Sequence, residues 1–322
     1  MTLRPCRSFL FAPGDHARRA GKALALPADA AILDLEDAVA VPAKAAARAA
    51  VRAALEGPRR ARAFVRVNGF ATEWCFGDIE AVAGPWLDGI VLPKLEAPAE
   101  LVAVDWMLAA LERARGLAPR AIELMPILES ARGLAALPEL AAAAAGLGGR
   151  VRRLAFGAGD YTLDLGLAWG REEEELAPAR AAMVLHSRAA GLEAPVDTVW
   201  IELADAEGFA ASCARGAALG FQGKLCIHPD QIAPANAAFS PPAEEVARAR
   251  RIIAAFAAAE AEGLASIRVE GRFVDYPIMD RARRMVALAE AIAAAEGGAG
   301  AAGAPPPSGR ACQPTISQPA KK

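Results

Sequence analysis

Short apolar runs alternate with helical segments along most of this chain, and that alternation limits the fold more than any other feature. The runs are RSFLFAPG (7–14), AAILDLED (30–37), ARAFVRVNG (61–69), DGIVLPKLE (88–96), AIELMPILES (121–130), VRRLAFGAGD (151–160), VDTVWIEL (196–203) and GKLCIHP (223–229). Each precedes a segment with apolar residues at helical spacing, such as Val246, Ala249, Ile253 and Phe256. Runs this apolar suit strands covered on both faces. Strands joined through helices form a parallel sheet. Eight such units in about 260 residues predict an α/β fold, a (β/α)8 TIM barrel. An open doubly wound sheet is the alternative, weakened because no GxGxxG follows the first run. After the eighth unit, ASIRVEGRFVDYPI (265–278) alternates around Glu270-Gly271 and predicts a hairpin, with a last helix over about 279–296. The expected organisation is a barrel over 1–264, a hairpin and helix over 265–296, and a Gly/Pro/Ser/Ala-rich tail over 297–322, expected to be disordered.

Bulk properties narrow the function classes. The 322 residues are 54% hydrophobic, enough for a large core, and the net charge is -2. No basic stripe suggests nucleic acid. No apolar run is long enough to span a membrane. The N-terminal segment lacks a cleavage pattern, so a cytoplasmic protein is expected. The five cysteines (Cys6, Cys75, Cys213, Cys226, Cys312) are scattered, which suits neither a disulfide framework nor a zinc site. His16, His186 and His228 are too far apart in sequence for an HExxH motif and give little support to a triad.

In a barrel the carboxyl ends of the strands form the active face. Read in order, those ends carry Asp15; Asp34, Glu36 and Asp37; Arg66 and Asn68; Lys94 and Glu96; Glu129; Asp160; Glu202 and Asp205; and His228. Any single one of these suits a helix cap or a turn. Together they bring several carboxylates toward one arginine and one lysine. Hard oxygen ligands of that kind select Mg²⁺ or Mn²⁺. Glu129 and Asp160, at matching ends of adjacent strands, could share one ion. Arg66 could bind a carboxylate or stabilise an enolate oxygen. Lys94 is expected to support a neighbouring carboxylate, and His228 to serve a turn.

The motifs RSFLFAPGD, ILDLEDAV, FVRVNG, VLPKLE, PILESARGL, FGAGDYTLDLG, DAEGF, GFQGKLCIHPDQI and GRFVDYPI occur in order, and over about residues 4–290 the chain resembles the citrate lyase β-subunit-like CoA ester lyases. That group includes malyl-CoA and citramalyl-CoA lyases and sits in the HpcH/HpaI aldolase superfamily. The resemblance implies a TIM barrel, Mg²⁺, and reversible cleavage of a 3-hydroxyacyl-CoA to acetyl-CoA and a keto compound, the work of a carbon–carbon oxo-acid-lyase. It places Glu129 and Asp160 as metal ligands, Glu129 also facing substrate, and Arg66 as the substrate-binding, enolate-stabilising residue. It places Asp275 as an aspartate delivered by the C-terminal segment of a neighbouring subunit, in a homotrimer or hexamer. Asp34, Glu36 and Asp37 match an acidic motif that orders metal-bound water and Arg66. The segment between Glu129 and Asp160 is slightly longer than in relatives, through Ala/Gly-rich 138–149.

CoA is expected across the barrel mouth, with Arg18, Arg19 and Lys22 near its phosphates or forming a solvated helix face. Three other activities stay open at this point. One is hydrolysis of a malyl-CoA thioester. Another is a citrate lyase β subunit acting on a carrier-bound citryl thioester. The third is a pyruvate aldolase, which would carry an early catalytic histidine; His16 stands in a different motif.

Overall fold

The structure is a computed structural model and describes residues 5–298. Eight parallel strands close into a barrel in sequence order: β1 (Ser8–Pro13), β2 (Ala30–Asp34), β3 (Arg62–Arg66), β4 (Gly89–Leu92), β5 (Glu123–Leu128), β6 (Ala155–Phe156), β7 (Val196–Asp197) and β8 (Gly223–Cys226), with β8 returning to β1. The helices are α1 (Ala17–Ala25), α2 (Lys44–Leu55), α3 (Cys75–Val82), α4 (Pro98–Ala114), α5 (Ala131–Ala135), α6 (Leu137–Gly146), α7 (Ala158–Leu165), α8 (Ala177–Ala189), α9 (Ala206–Leu219), α10 (Ile232–Ala238), α11 (Ala243–Ala261) and α12 (Tyr276–Gly298). A hairpin of β9 (Ile267–Val269) and β10 (Arg272–Val274) precedes α12. No helix among the described residues is long and apolar enough to cross a membrane.

Strand parity explains the two apolar layers. Alternate residues face opposite sides of a strand. Phe9, Ile32, Phe64, Val91, Ile127, Ala155, Val196 and Leu225 fill the barrel interior, with Phe9 and Phe64 packed edge-to-face at 5.6 Å. Their neighbours Leu10, Leu33, Val65, Ile90 and Leu128 face out and pack under the helices. The parity also places the polar strand ends. Two residues beyond Ile32, Phe64 and Ile127 stand Asp34, Arg66 and Glu129, on the interior face at the carboxyl end.

The structure departs from the sequence expectations in three places. The runs around 151–160 and 196–203 hold only two strand residues each, because the chain leaves the sheet early to start α7 and to form an irregular loop through Trp200. The helix read as the eighth barrel helix, α11, does not close the barrel. The short α10 does, against α9, β1 and β8, while α11 pairs with α12. That pair has its own apolar cluster of Ala249, Ile252, Phe256, Val274, Met279 and Ala282, apart from the barrel core. It forms an arm whose root is tied to the barrel floor where Arg7 Nη1 meets Glu296 at 3.1 Å. Third, α12 runs on to Gly298; the rest of the tail, 299–322, lies outside the described residues.

Beneath the short strands lies a buried ionic cluster. Asp197 accepts from Arg180 Nε and Nη2, both at 2.9 Å, and from Lys224 Nζ at 2.7 Å. Burial alone would raise this carboxyl, but Lys224 and Arg180 hold it below the usual carboxylate range. The next residue, Thr198, accepts from Ala158 N at 2.8 Å and so anchors the start of α7. Removing Asp197 leaves the buried Lys224 ammonium unpaired and Arg180 with Glu173 alone, at 3.0 Å, so Asp197→Ala should lower unfolding free energy by about 3–5 kcal/mol. Urea titration checks this; a loss under about 1 kcal/mol would mean that water reaches the cluster.

Candidate active site

Residues Arg66, Glu129 and Asp160 line one cavity of about 140 Å³ at the carboxyl end of the barrel, together with Phe11, Asp37, Ile127, Gly157, Gly159, Thr198, Val199 and Leu225. Asp34 and Arg66 are register partners on β2 and β3. The guanidinium donates to Asp34 in a bidentate pair, Nε to Oδ1 at 2.8 Å and Nη2 to Oδ2 at 2.6 Å. Its third nitrogen, Nη1, lies 3.1 Å from Glu36 Oε2 and 3.9 Å from Asp37. The Arg66 guanidinium sits over the Phe11 ring, 4.9 Å from its centroid. Burial disfavours its charge, but the hydrogen bonds and charge of Asp34, with Glu36 and Glu129, outweigh that and hold it firmly protonated.

Lys94 is the second cation. Its backbone adopts φ 53, in the left-handed region. From there its amide donates to Glu129 Oε1 at 2.8 Å, while Nζ reaches Glu36 Oε1 at 2.8 Å, Asp160 at 3.5 Å and Asp37 at 3.6 Å. It supports carboxylates, as its motif suggested. Burial would lower this ammonium, but Glu36, Asp37 and Asp160 outweigh it and raise it.

Glu129 is buried and its carboxyl is pushed up to about 8, first by burial, then by the charge of Glu36, with Asp160 adding and Arg66 opposing. Gly157 makes room for it, since a Cβ there would stand 2.3 Å from Glu129 Oε2. Asp160 sits in the first turn of α7. Among the described residues no three His, Cys, Asp or Glu side chains form a ready metal cluster. A Mg²⁺ site needs only one or two carboxylates, with water and substrate completing the shell. Three observations fit such an ion: an all-oxygen donor pair in Glu129 and Asp160, a Glu129 carboxyl raised by burial and then by its acidic neighbours, and Glu36 Oε2, buried without a hydrogen bond despite its ion contact with Arg66.

Other strand-end residues serve the scaffold. Asp205 caps α9 through Gly208 N at 2.8 Å and pairs with Arg171. Glu96 accepts from Ser130 Oγ at 2.7 Å. His228 Nδ1 accepts from Asp230 N at 3.3 Å in a turn, as expected for a structural histidine. Arg18 and Lys22 are exposed on α1, outside the cavity lining. Asp275 is not in this cavity either: it heads α12, accepting from Ile278 N at 3.2 Å, on the arm. Phe11 and Lys44 were missed from the sequence. Phe11 was legible in the alternation from Phe9. Lys44, at a helix start, carries no sequence mark that separates it from a solvated lysine.

Glu129 gives a signed prediction. Its folded value, about 8, exceeds the ordinary 4.5, so the metal-free fold takes up a proton relative to the unfolded chain between those values. Stability therefore falls as pH rises through that window. Glu129→Gln should raise metal-free stability at pH 8.5 by on the order of 2–4 kcal/mol and leave it nearly unchanged at pH 4. Thermal and urea unfolding at both pH values check this; equal effects at both would remove the charge explanation.

Comparison with known proteins agrees with this fold. Residues 7–229 match the family model described as HpcH/HpaI aldolase/citrate lyase. The chain is 36% identical to citrate lyase subunit beta of Escherichia coli, covering 89% of this chain and 94% of that protein. Two proteins of Cereibacter sphaeroides, a (3S)-malyl-CoA thioesterase and an L-malyl-CoA/beta-methylmalyl-CoA lyase, are 38% and 37% identical, each covering 90% of this chain and 96% of the relative. Among solved structures, protein CitE of Mycobacterium tuberculosis, in complex with magnesium, acetoacetate and coenzyme A, matches with a TM-score of 0.70 and 31% identity, covering 89% of this chain and 98% of that one. With these matches and an eight-stranded barrel whose carboxyl end gathers the motif residues, the chain belongs to the HpcH/HpaI aldolase/citrate lyase family.

Proposed function

We propose that this protein is a Mg²⁺-dependent CoA ester lyase that cleaves a 3-hydroxyacyl-CoA, such as malyl-CoA, citramalyl-CoA or citryl-CoA, reversibly to acetyl-CoA and a keto acid. The observation that carries the reading is one cavity lined by Arg66 together with Glu129 and Asp160. That pairs a fixed cation with an oxygen-ligand site in a space of about 140 Å³. The lyase relatives and the magnesium and coenzyme A of the CitE complex support it.

Glu129 and Asp160 would hold Mg²⁺, or Mn²⁺ in its place. When bound, the ion supplies Lewis acidity that lowers the pKa of a substrate hydroxyl. In the cleavage a base takes the hydroxyl proton, the oxygen forms the C=O of the keto acid, the C–C bond breaks, and the electron pair of that bond passes to the acetyl-CoA fragment as an enolate. Arg66, held rigid by Asp34 over Phe11, stabilises the enolate oxygen. Asp34, Glu36 and Asp37 fix Arg66 and order water near the ion. Asp275, on the arm of a neighbouring subunit, protonates the enolate carbon, or takes the proton in the reverse direction. The active form is then a homotrimer or hexamer. CoA crosses the mouth with its phosphates near Arg18 and Lys22.

Two experiments test this. Purified protein with Mg²⁺ should convert at least one of malyl-, citramalyl- and citryl-CoA to acetyl-CoA plus the matching keto acid. Free CoA and hydroxy acid with no keto acid would assign thioesterase chemistry, the activity of the malyl-CoA thioesterase relatives. Turnover only with an added acyl-carrier partner would assign a citrate lyase subunit. In the second, Arg66→Ala and Asp275→Ala should each lose roughly 10²-fold or more in kcat. One-to-one mixed oligomers of the two should recover to about a quarter of wild type if each site takes its arm from a neighbour. No recovery would place Asp275 outside the shared site.

A further inference from the structure

Lys44 opens α2, a place where a lysine ordinarily extends into water. Here it is buried, with 6% of its surface exposed. Its Nζ donates to Leu35 O at 3.0 Å, Glu36 O at 2.8 Å and Asn68 Oδ1 at 2.6 Å. Those three bonds use every hydrogen of the ammonium. Among the described residues no carboxylate lies within ion-pair distance of it. The charge is instead set 5.3 Å from the Trp74 ring centroid. Burying an ammonium without a counter-charge is costly unless every donor is met, and here two donors meet the loop after β2 and the third meets Asn68 in the loop after β3.

The partners of Lys44 are themselves locked. Asn68 Nδ2 donates to the same Leu35 carbonyl at 2.9 Å and to Asp78 Oδ2 at 2.6 Å. The Asn68 amide also meets Asp78 Oδ2 at 2.9 Å, and Arg48 Nε holds Asp78 Oδ1 at 2.7 Å. Lys44 from α2 and Asn68 from the loop after β3 thus converge on two successive peptide carbonyls, with Asp78 of α3 holding Asn68 in place. Those peptides directly follow Asp34, the bidentate partner of Arg66, and carry the Glu36 side chain to Arg66 and Lys94.

We infer that Lys44 is a positioning residue for Arg66: it pins the peptides of Leu35 and Glu36 from behind, so that Asp34 and Glu36 hold the guanidinium in one orientation above Phe11. Lys44 itself lies behind the loop and acts only through it. The kinetic part of the test rests on the lyase reading given above; the spectroscopic part does not.

The test uses the full chain with Lys44→Met, which keeps the stem and removes the three donors. The Arg66 Nε–H resonance, identified by its loss in Arg66→Lys, should shift or broaden, while Mg²⁺ affinity measured by titration stays within about threefold. In acyl-CoA cleavage, kcat should fall about 30-fold or more with KM within about threefold, the signature of lost transition-state alignment. Lys44→Met combined with Glu36→Gln should cost no more than the worse single variant, since both act through Arg66. An unmoved Arg66 resonance, a kcat within threefold of wild type, or additive losses would each overturn the assignment. If the wild type cleaves no acyl-CoA, the lyase reading falls and the resonance still decides on Lys44. If Lys44→Met does not fold, Lys44→Gln is measured in its place; failure of both to fold would assign Lys44 to barrel stability alone and overturn the inference.

Discussion

The bidentate pair between Arg66 and Asp34 is the contact on which the mouth of this barrel depends. It joins β2 to β3 at their last residues, across a register that already sets the two side by side. Both residues keep the parity of the apolar interior, so the strands themselves deliver the charges to the top of the core. A planar guanidinium gripped on two edges has little freedom to turn. What remains for a ligand is a fixed cation at a known depth, backed by an aromatic face.

Around that pair the charges do not balance. Asp34, Glu36, Asp37, Glu129 and Asp160 surround two cations, Arg66 and Lys94. Glu129, buried and with Glu36 and Asp160 adding to the effect of burial, keeps its proton to about 8. Such a mouth is prepared for a positive ion, in the sense that its carboxylates repel one another until one arrives. Lys94 covers part of the deficit from a left-handed backbone position, and its amide holds Glu129 while its ammonium spans the opposite wall. One residue thereby couples the acidic loop after β2 to Glu129, just past β5, and to Asp160 on α7.

Much of this was legible in the sequence, for reasons that differ by residue. The eight alternating units announced the barrel because strand and helix periods are local properties. Arg66, Glu129 and Asp160 stood out as polar residues ending apolar runs. The two-residue strands β6 and β7 were not legible, because apolar composition through Trp200 continues past the point where the ladder stops. The pairing of α11 with α12 was hidden for a similar reason: an apolar stripe tells which face is buried and not what buries it. Lys44 was hidden most deeply. Its role depends on the side chain folding back on the preceding loop, and a lysine at a helix start carries no mark of that.

The shortness of β6 and β7 has a consequence for how such a barrel can diversify. On the β1 to β5 side, the strands that lead to the mouth are held by continuous ladders, and shifting one moves its neighbours. On the other side, the wall through Gly157, Thr198 and Val199 hangs on a few side-chain bonds, chiefly Thr198 with Ala158 and Asp197 with Lys224. Loops above those anchors, bearing Trp169 and Trp200, can lengthen or exchange residues at little expense to the sheet. Divergence in what the mouth accepts should therefore accumulate in that half, while the half that holds Arg66 stays as it is.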